Sequence, residues 1–246
     1  MVTGVGTGQR GSAALEVLRG QGVKDELVQR LEDYPTGIVT VEVDEGGKPT
    51  FEIGKDAAWD HWEWNHVIEE KVSGADAVCF GTLGQRGQSP RAGIRKAMQL
   101  AKEKGIMRVH DVNLRPPFFD DALIRDSLAL CSVYKLSDDE LERVCQACGI
   151  AFAGDPLDSL LAILEKYALD VLVMTKGAEG AVLLTSDSTY EQPGVKATIV
   201  DTVGAGDSFT AALTIGLLRK DPFPEILRNA CEVAAQVCSH AGAVPA

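Results

Sequence analysis

Near the end of the chain, Asp201-Thr-Val-Gly-Ala-Gly-Asp207 combines the two groups needed to move an anionic group onto a hydroxyl. The apolar stretch from Ala205 to about Leu218 reads as a helix. The first amide protons of a helix lack intrahelical acceptors and sit at its positive end. Gly204 and Gly206 let an anion approach the main chain closely. Asp207 stands where its carboxylate can take the proton of a hydroxyl that attacks a phosphate. An anion cradle beside a general base is the apparatus of phosphoryl transfer to an alcohol. The same residues also have a plainer local use, because an Asp in a first turn and a glycine-rich turn before a helix are both common.

Such a site needs elements to carry it, and strand and helix patterns alternate along the chain. Strands are expected at 75–81, 107–112, 132–136 and 171–175, with an antiparallel pair at 181–185 and 189–192. Helices are expected at 90–104, 120–130, 138–148, 156–167, 205–219 and 223–240, with Gly105 and Gly149 as stops. Repeated β-α units predict an α/β protein with a mostly parallel sheet, helices on both faces and sites at the carboxyl ends of its strands. One segment breaks the rhythm. Residues 37–43 and 49–53 flank Asp44-Glu-Gly-Gly-Lys48 as a hairpin, which reads as an inserted lid over about 37–54.

At 246 residues the chain can bury a full core. Its net charge of -12 argues against a nucleic-acid surface. No apolar run reaches the length of a membrane span and no signal peptide opens the chain, so a cytoplasmic protein is expected. Cysteines 79, 131, 145, 148, 231 and 238 lie in apolar segments, which suits buried thiols better than a disulfide framework. Cys145 and Cys148 have metal-like spacing but no second pair. Trp59, Trp62 and Trp64 follow the hairpin and are expected to pack its base. Residues 6–11 fit Gly-x-Gly-x-x-Gly, but a dinucleotide fingerprint needs a preceding strand. With only residues 1–5 ahead of it, a dinucleotide site is not expected.

Asp201-Thr-Val-Gly-Ala-Gly-Asp207 resembles the C-terminal signature of the PfkB/ribokinase-type carbohydrate kinases, and the resemblance runs from about Gly6 to Pro245. Phe80-Gly-Thr-Leu-Gly-Gln-Arg86 and Asp111-Val-Asn-Leu-Arg-Pro-Pro117 are similar to segments of fructokinase-like members. The resemblance implies a ribokinase-like three-layer fold spanning 1–246 with a small β lid, and ATP-dependent phosphorylation of a sugar hydroxyl. The implied acceptor is fructose or a related ketose. 2-Keto-3-deoxygluconate, ribose and nucleoside acceptors stay open, as does a non-catalytic sugar- or nucleotide-sensing relative.

The family pattern implies a role for each matched residue. Asp207 is the base, and the amides of Gly204, Ala205 and Gly206 stabilise the phosphoryl oxygens. Thr175, Gly177, Gly180 and Asn113 line the ATP site, while Arg115 and Arg86 address sugar or phosphate oxygens. Glu140 orders Mg²⁺ through water, although Ser-Asp-Asp-Glu is also a good capping box. Asp201 and the Val203 carbonyl, with the turn Ala241-Gly-Ala-Val-Pro245, mark a monovalent-cation site suited to K⁺. Sugar and ATP are the implied partners, with a homodimer through the lid and no nucleic acid or membrane. Family members also begin with a strand bearing an Asp and then Gly-Gly-x-x-x-Asn, which this sequence does not show. The resemblance therefore implies that about 30 residues of a sugar-holding strand–helix unit are not represented.

Overall fold

The computed structural model describes residues 1–43, 49–152 and 154–243. In chain order the elements are β1 (Thr3–Gly6), α1 (Gln9–Gly20), β2 (Val28–Leu31), β3 (Val39–Val43), β4 (Pro49–Ile53), α2 (His66–Ser73), β5 (Ala77–Gly81), α3 (Gln88–Glu103) and β6 (Met107–Asp111). There follow α4 (Asp121–Leu130), β7 (Val133–Ser137), α5 (Asp138–Cys148), α6 (Pro156–Tyr167), β8 (Val171–Thr175), β9 (Gly180–Leu184), β10 (Thr189–Pro193), α7 (Ala205–Arg219) and α8 (Phe223–Cys238). They gather into two compact units, one of residues 1–74 and 84–100, the other of residues 75–83 and 101–246.

The second unit is an α/β sandwich around a six-stranded sheet of order β10-β9-β8-β7-β6-β5. Strands β5 to β8 are parallel, and β9 and β10 turn antiparallel at one edge. Alternation along each strand sends successive side chains to opposite faces. His110, Tyr134, Leu172 and Leu184 stand opposite one another across four strands, and the last three pack with Ile124 and Leu128 of α4, Val144 of α5 and Ile163 of α6. Val109, Val133, Val173 and Leu183 fill the other face with Phe209 and Leu213 of α7 and Ile226 and Ala230 of α8. Each fully buried Leu or Ile in these layers contributes roughly 1.5–3 kcal/mol.

The helix boundaries follow from their caps. The Asp120 carboxylate accepts the Leu123 amide at 2.7 Å to open α4, and Asp155 accepts that of Leu157 at 2.9 Å ahead of Pro156 in α6. Helix α5 stops at Gly149, whose φ of 63° is the left-handed turn expected there. The same unit holds a polar anomaly. His110 is fully buried, neither ring nitrogen has a hydrogen-bond partner among the described residues, and it stacks on Phe80 at 4.5 Å between ring centres. Loss of solvent lowers its pKa to about 3, which keeps the ring neutral.

In the first unit β1 and β2 run parallel, joined by α1. The sequence expectation is corrected here, because a strand does precede Gly-x-Gly-x-x-Gly. A dinucleotide is disfavoured on other grounds. A β-carbon on Gly6 would lie 2.7 Å from the Tyr34 carbonyl oxygen and 2.8 Å from the Thr36 nitrogen, so the chain itself fills the space over the turn. The Gly6 amide also donates to the Thr36 hydroxyl at 3.0 Å. Gly11 serves packing, since a β-carbon there would meet the Gly6 carbonyl oxygen.

The expected hairpin is present as β3 paired antiparallel with β4, and its turn, Asp44–Lys48, lies outside the described residues. Its base is gripped from both arms. The Gly54 amide donates to the Ile38 carbonyl, and the Gly54 carbonyl accepts from Arg86 at 2.6 Å. The Arg86 guanidinium also binds both oxygens of Asp60 at 2.6 Å and lies over the Trp59 ring, against which Gly37 packs. Trp59 thus packs the hairpin base as expected, while Trp62 is buried against Gly93 of α3.

Candidate active site

Within the six-stranded unit, four strands end on residues that the chemistry needs or that lead into it. These are Gly81 on β5, Asp111 on β6, Ser137 on β7 and Thr175 on β8. The parallel arrangement places all four at the carboxyl end of the sheet, where loops are free to vary and to bind.

The tip of α7 lies at this end. Gly204 is its N-cap with a φ of 84°, a left-handed conformation that a side chain resists. A β-carbon on Gly204 would also lie 2.9 Å from atoms of Ala243, so the glycine lets the chain end pass close by. The Ala205 amide donates to the Thr202 carbonyl at 3.3 Å, which corrects the expectation that it is free for a phosphate. The amides of Gly206 and Asp207 have no acceptor among the described residues, as expected for the first turn of a helix. Asp207 is the third residue of α7; its side chain is exposed and has no hydrogen-bond or ion-pair partner among the described residues. The carboxylate and the uncommitted amides therefore meet at the helix tip.

Beneath the tip lies a polar network that the sequence reading did not single out. The Lys135 ammonium sits 3.1 and 3.2 Å from the two oxygens of Asp111, and Asp111 Oδ2 accepts from the Thr210 hydroxyl at 2.7 Å. Thr210 belongs to the second turn of α7, so the network joins the end of β6 and the middle of β7 to the helix. The available signal was a lysine inside the otherwise uncharged strand Val-Tyr-Lys-Leu-Ser and an aspartate closing Met-Arg-Val-His-Asp.

Glu140 joins the end of β7 to the loop after β6 from the opposite face of the sheet. One carboxylate oxygen accepts the Ser137 amide at 2.8 Å, closing the cap of α5, and the other accepts the Leu114 amide at 2.7 Å. The second bond fixes the loop after β6, in which Asn113 has a φ of 41° and Arg115 is exposed. Arg115 Nη1 donates to the Leu114 carbonyl at 3.1 Å. Thr175 reaches the Leu136 carbonyl at 3.4 Å, and Gly177 opens the next turn with a φ of 53°. Gly180 has a φ of 101°, and a β-carbon there would meet the Gln192 carbonyl oxygen at 2.0 Å, so β9 itself requires a glycine.

Asp201 is a tie between loops. Its carboxylate accepts the Val203 amide and the Gly242 amide, each at 2.9 Å. Those two bonds, Val203 first, hold its pKa below the usual carboxylate range. Val244 and Pro245 lie outside the described residues. Arg86 belongs to the other compact unit, where it holds Asp60 and Gly54. Among the described residues no three His, Cys, Asp or Glu side chains converge as a metal cage. The Cys148 thiol accepts from the Tyr167 hydroxyl at 3.3 Å, and desolvation raises the pKa of both Cys145 and Cys148. No helix among the described residues is long and apolar enough to cross a membrane.

The family described as pfkB family carbohydrate kinase matches residues 1–246. The chain is 33% identical over 193 residues to fructosamine kinase FrlD of Bacillus subtilis, a match covering 70% of this chain and 68% of that one. It is 25% identical over 232 residues to a fructokinase of Escherichia coli, covering 87% of this chain and 69% of that one. Among solved structures, the fructokinase of Xylella fastidiosa with bound ATP superposes with a TM-score of 0.88 at 20% identity, over 98% of this chain and 79% of that one. This last likeness establishes the ribokinase-like fold. With a family match along its whole length, the chain is a member of the pfkB family of carbohydrate kinases.

Proposed function

We propose that this chain transfers the γ-phosphoryl group of ATP to a hydroxyl of a fructose-type ketose. The observation that carries the reading is the exposed Asp207 carboxylate beside the amides of Gly206 and Asp207, which have no acceptor among the described residues, at the tip of α7. In this reading Asp207 orients the acceptor hydroxyl and takes its proton, while the two amides meet the charge that develops on the phosphoryl oxygens. One such preorganised donor is typically worth about 3–4 kcal/mol of barrier. The fructose framework is supported by two relatives, whose names are fructosamine kinase and fructokinase.

Mg²⁺ fits as an ion held mainly by the polyphosphate and water, since it needs only one or two carboxylates and no full protein cage. When bound, it neutralises charge on the phosphates. Glu140 is the carboxylate proposed to order its waters, a role supported by each oxygen accepting one amide and keeping a further lone pair. Asn113, Thr175 and Gly177 belong to the proposed nucleotide side and Arg115 to the acceptor side. K⁺ near Asp201 and the Val203 carbonyl is part of the same proposal, tested by turnover in K⁺ against choline buffer. The lid role of the hairpin, and pairing of two copies through it, are also proposed. The exposed Ile38 and Val39 at its entry support them.

The test is a panel of fructose, a fructosamine, 2-keto-3-deoxygluconate, ribose and a nucleoside, with ADP release coupled to a chromogenic readout. The reading expects the fructose-based acceptors to give the highest kcat/KM. Preference for ribose or a nucleoside would overturn the acceptor assignment. ATP binding without turnover on any acceptor would overturn the enzymatic reading in favour of a sensor.

A further inference from the structure

Asp111, the last residue of β6, and Lys135, in the middle of β7, are direct cross-strand partners. They face the layer that holds α7, two residues beyond the buried Val109 and Val133. Their side chains are 16% and 7% exposed, so an ion pair has been placed where water scarcely reaches. An apolar pair of similar volume would hold such a core position as well or better, so burial of the charges calls for another explanation. The geometry offers one. Asp111 grips the Thr210 hydroxyl at 2.7 Å, and that hydroxyl also lies 3.0 Å from the Gly206 carbonyl one turn back. The Thr214 hydroxyl in turn bonds the Thr210 carbonyl at 2.7 Å within the helix, so Thr210 is the point at which α7 is tied to the ion pair. A β-carbon on Gly206 would come within 3.3 Å of the Lys135 nitrogen, which puts the ammonium directly under the helix tip.

We infer that Lys135 is a positioning residue, which through Asp111 and Thr210 fixes the tip of α7 and with it the amide of Gly206 and the carboxylate of Asp207. Lys135 also balances the charge of Asp111, which would otherwise stand alone beneath a tip that receives an anion. The inference rests on the proposed phosphoryl transfer for its consequence in catalysis, but not for its consequence in the protein alone.

The test compares the wild type with Lys135→Met, Asp111→Asn and the double variant K135M/D111N. Lys135→Met alone leaves a buried carboxylate unpaired and is expected to fold poorly. The double variant removes both charges and is expected to unfold near the wild-type midpoint. Hydrogen exchange without any ligand is expected to quicken in residues 204–210 of the double variant by about tenfold, as one charged hydrogen-bonded link is lost. Exchange in α8 and β8 is expected to stay unchanged. With ATP and the preferred acceptor, kcat is expected to fall about 100-fold, the cost of misplacing a reacting group by about 1 Å, with a much smaller change in KM for ATP. Wild-type exchange across 204–210 in the double variant would overturn the inference, whatever its turnover. A wild type that turns over no acceptor would overturn the kinase reading instead, and the exchange result would still decide whether the Lys135–Asp111 pair holds the tip of α7.

Discussion

Gly204 carries two constraints at once, a left-handed backbone and the passage of Ala243 within 2.9 Å of where a β-carbon would be. Gly204→Ala is expected to lower stability by about 1–3 kcal/mol, seen as a lower denaturation midpoint in urea with an unchanged slope. An unchanged midpoint would show that the turn relaxes at no cost. The chemistry of this turn was legible because it is local. A glycine, a small residue and an Asp at a helix start determine their own arrangement over one turn. Lys135 was not legible in the same way. Its partner lies 24 residues away, and only the register of β6 on β7 brings the two together. Ala205 shows the limit of local reading even at the tip, because whether its amide is free depends on where the Thr202 carbonyl points.

At the level of elements, Glu140 ties three pieces together: the end of β7, the start of α5 and the loop after β6. A capping box was visible in the spacing of Ser137 and Glu140, but the bond to Leu114 was not, since it depends on two strands lying side by side. Glu140→Gln keeps one carbonyl oxygen as acceptor but presents an NH₂ group to the second amide. It is expected to cost about 1.5–3 kcal/mol, measured by chemical unfolding. The parallel strands and the helices covering them were read nearly to their ends, because apolar runs closed by Asp, Pro and Gly leave few alternatives. Strand β1, like α1, β2 and α2, is not foreseen from the sequence. Thr-Gly-Val-Gly has little intrinsic strand preference, and it is extended because β2 pairs with it and Ala58 packs where a β-carbon on Gly4 would stand.

For the folded molecule as a whole, His110 links stability to pH. Its ring is buried and neutral in the fold, with a pKa lowered from 6.5 to about 3, whereas the unfolded chain titrates it normally. Between those values the unfolded state binds the extra proton, so stability falls as the pH drops through that window. The contribution is at most about 1.4 kcal/mol per pH unit. His110→Phe keeps an aromatic ring between Phe80 and Tyr134 and is expected to remove this part of the acid sensitivity in thermal melts from pH 7 to pH 4. An identical pH slope in the variant would mean that other groups govern acid unfolding.

The account as a whole stands on Asp207 acting as the base at the tip of α7, and Asp207→Asn tests this most directly. Turnover with ATP and the preferred sugar should drop by about 10²–10⁴-fold, while calorimetry still shows ATP binding near the wild-type affinity. Wild-type turnover in that variant would contradict the account.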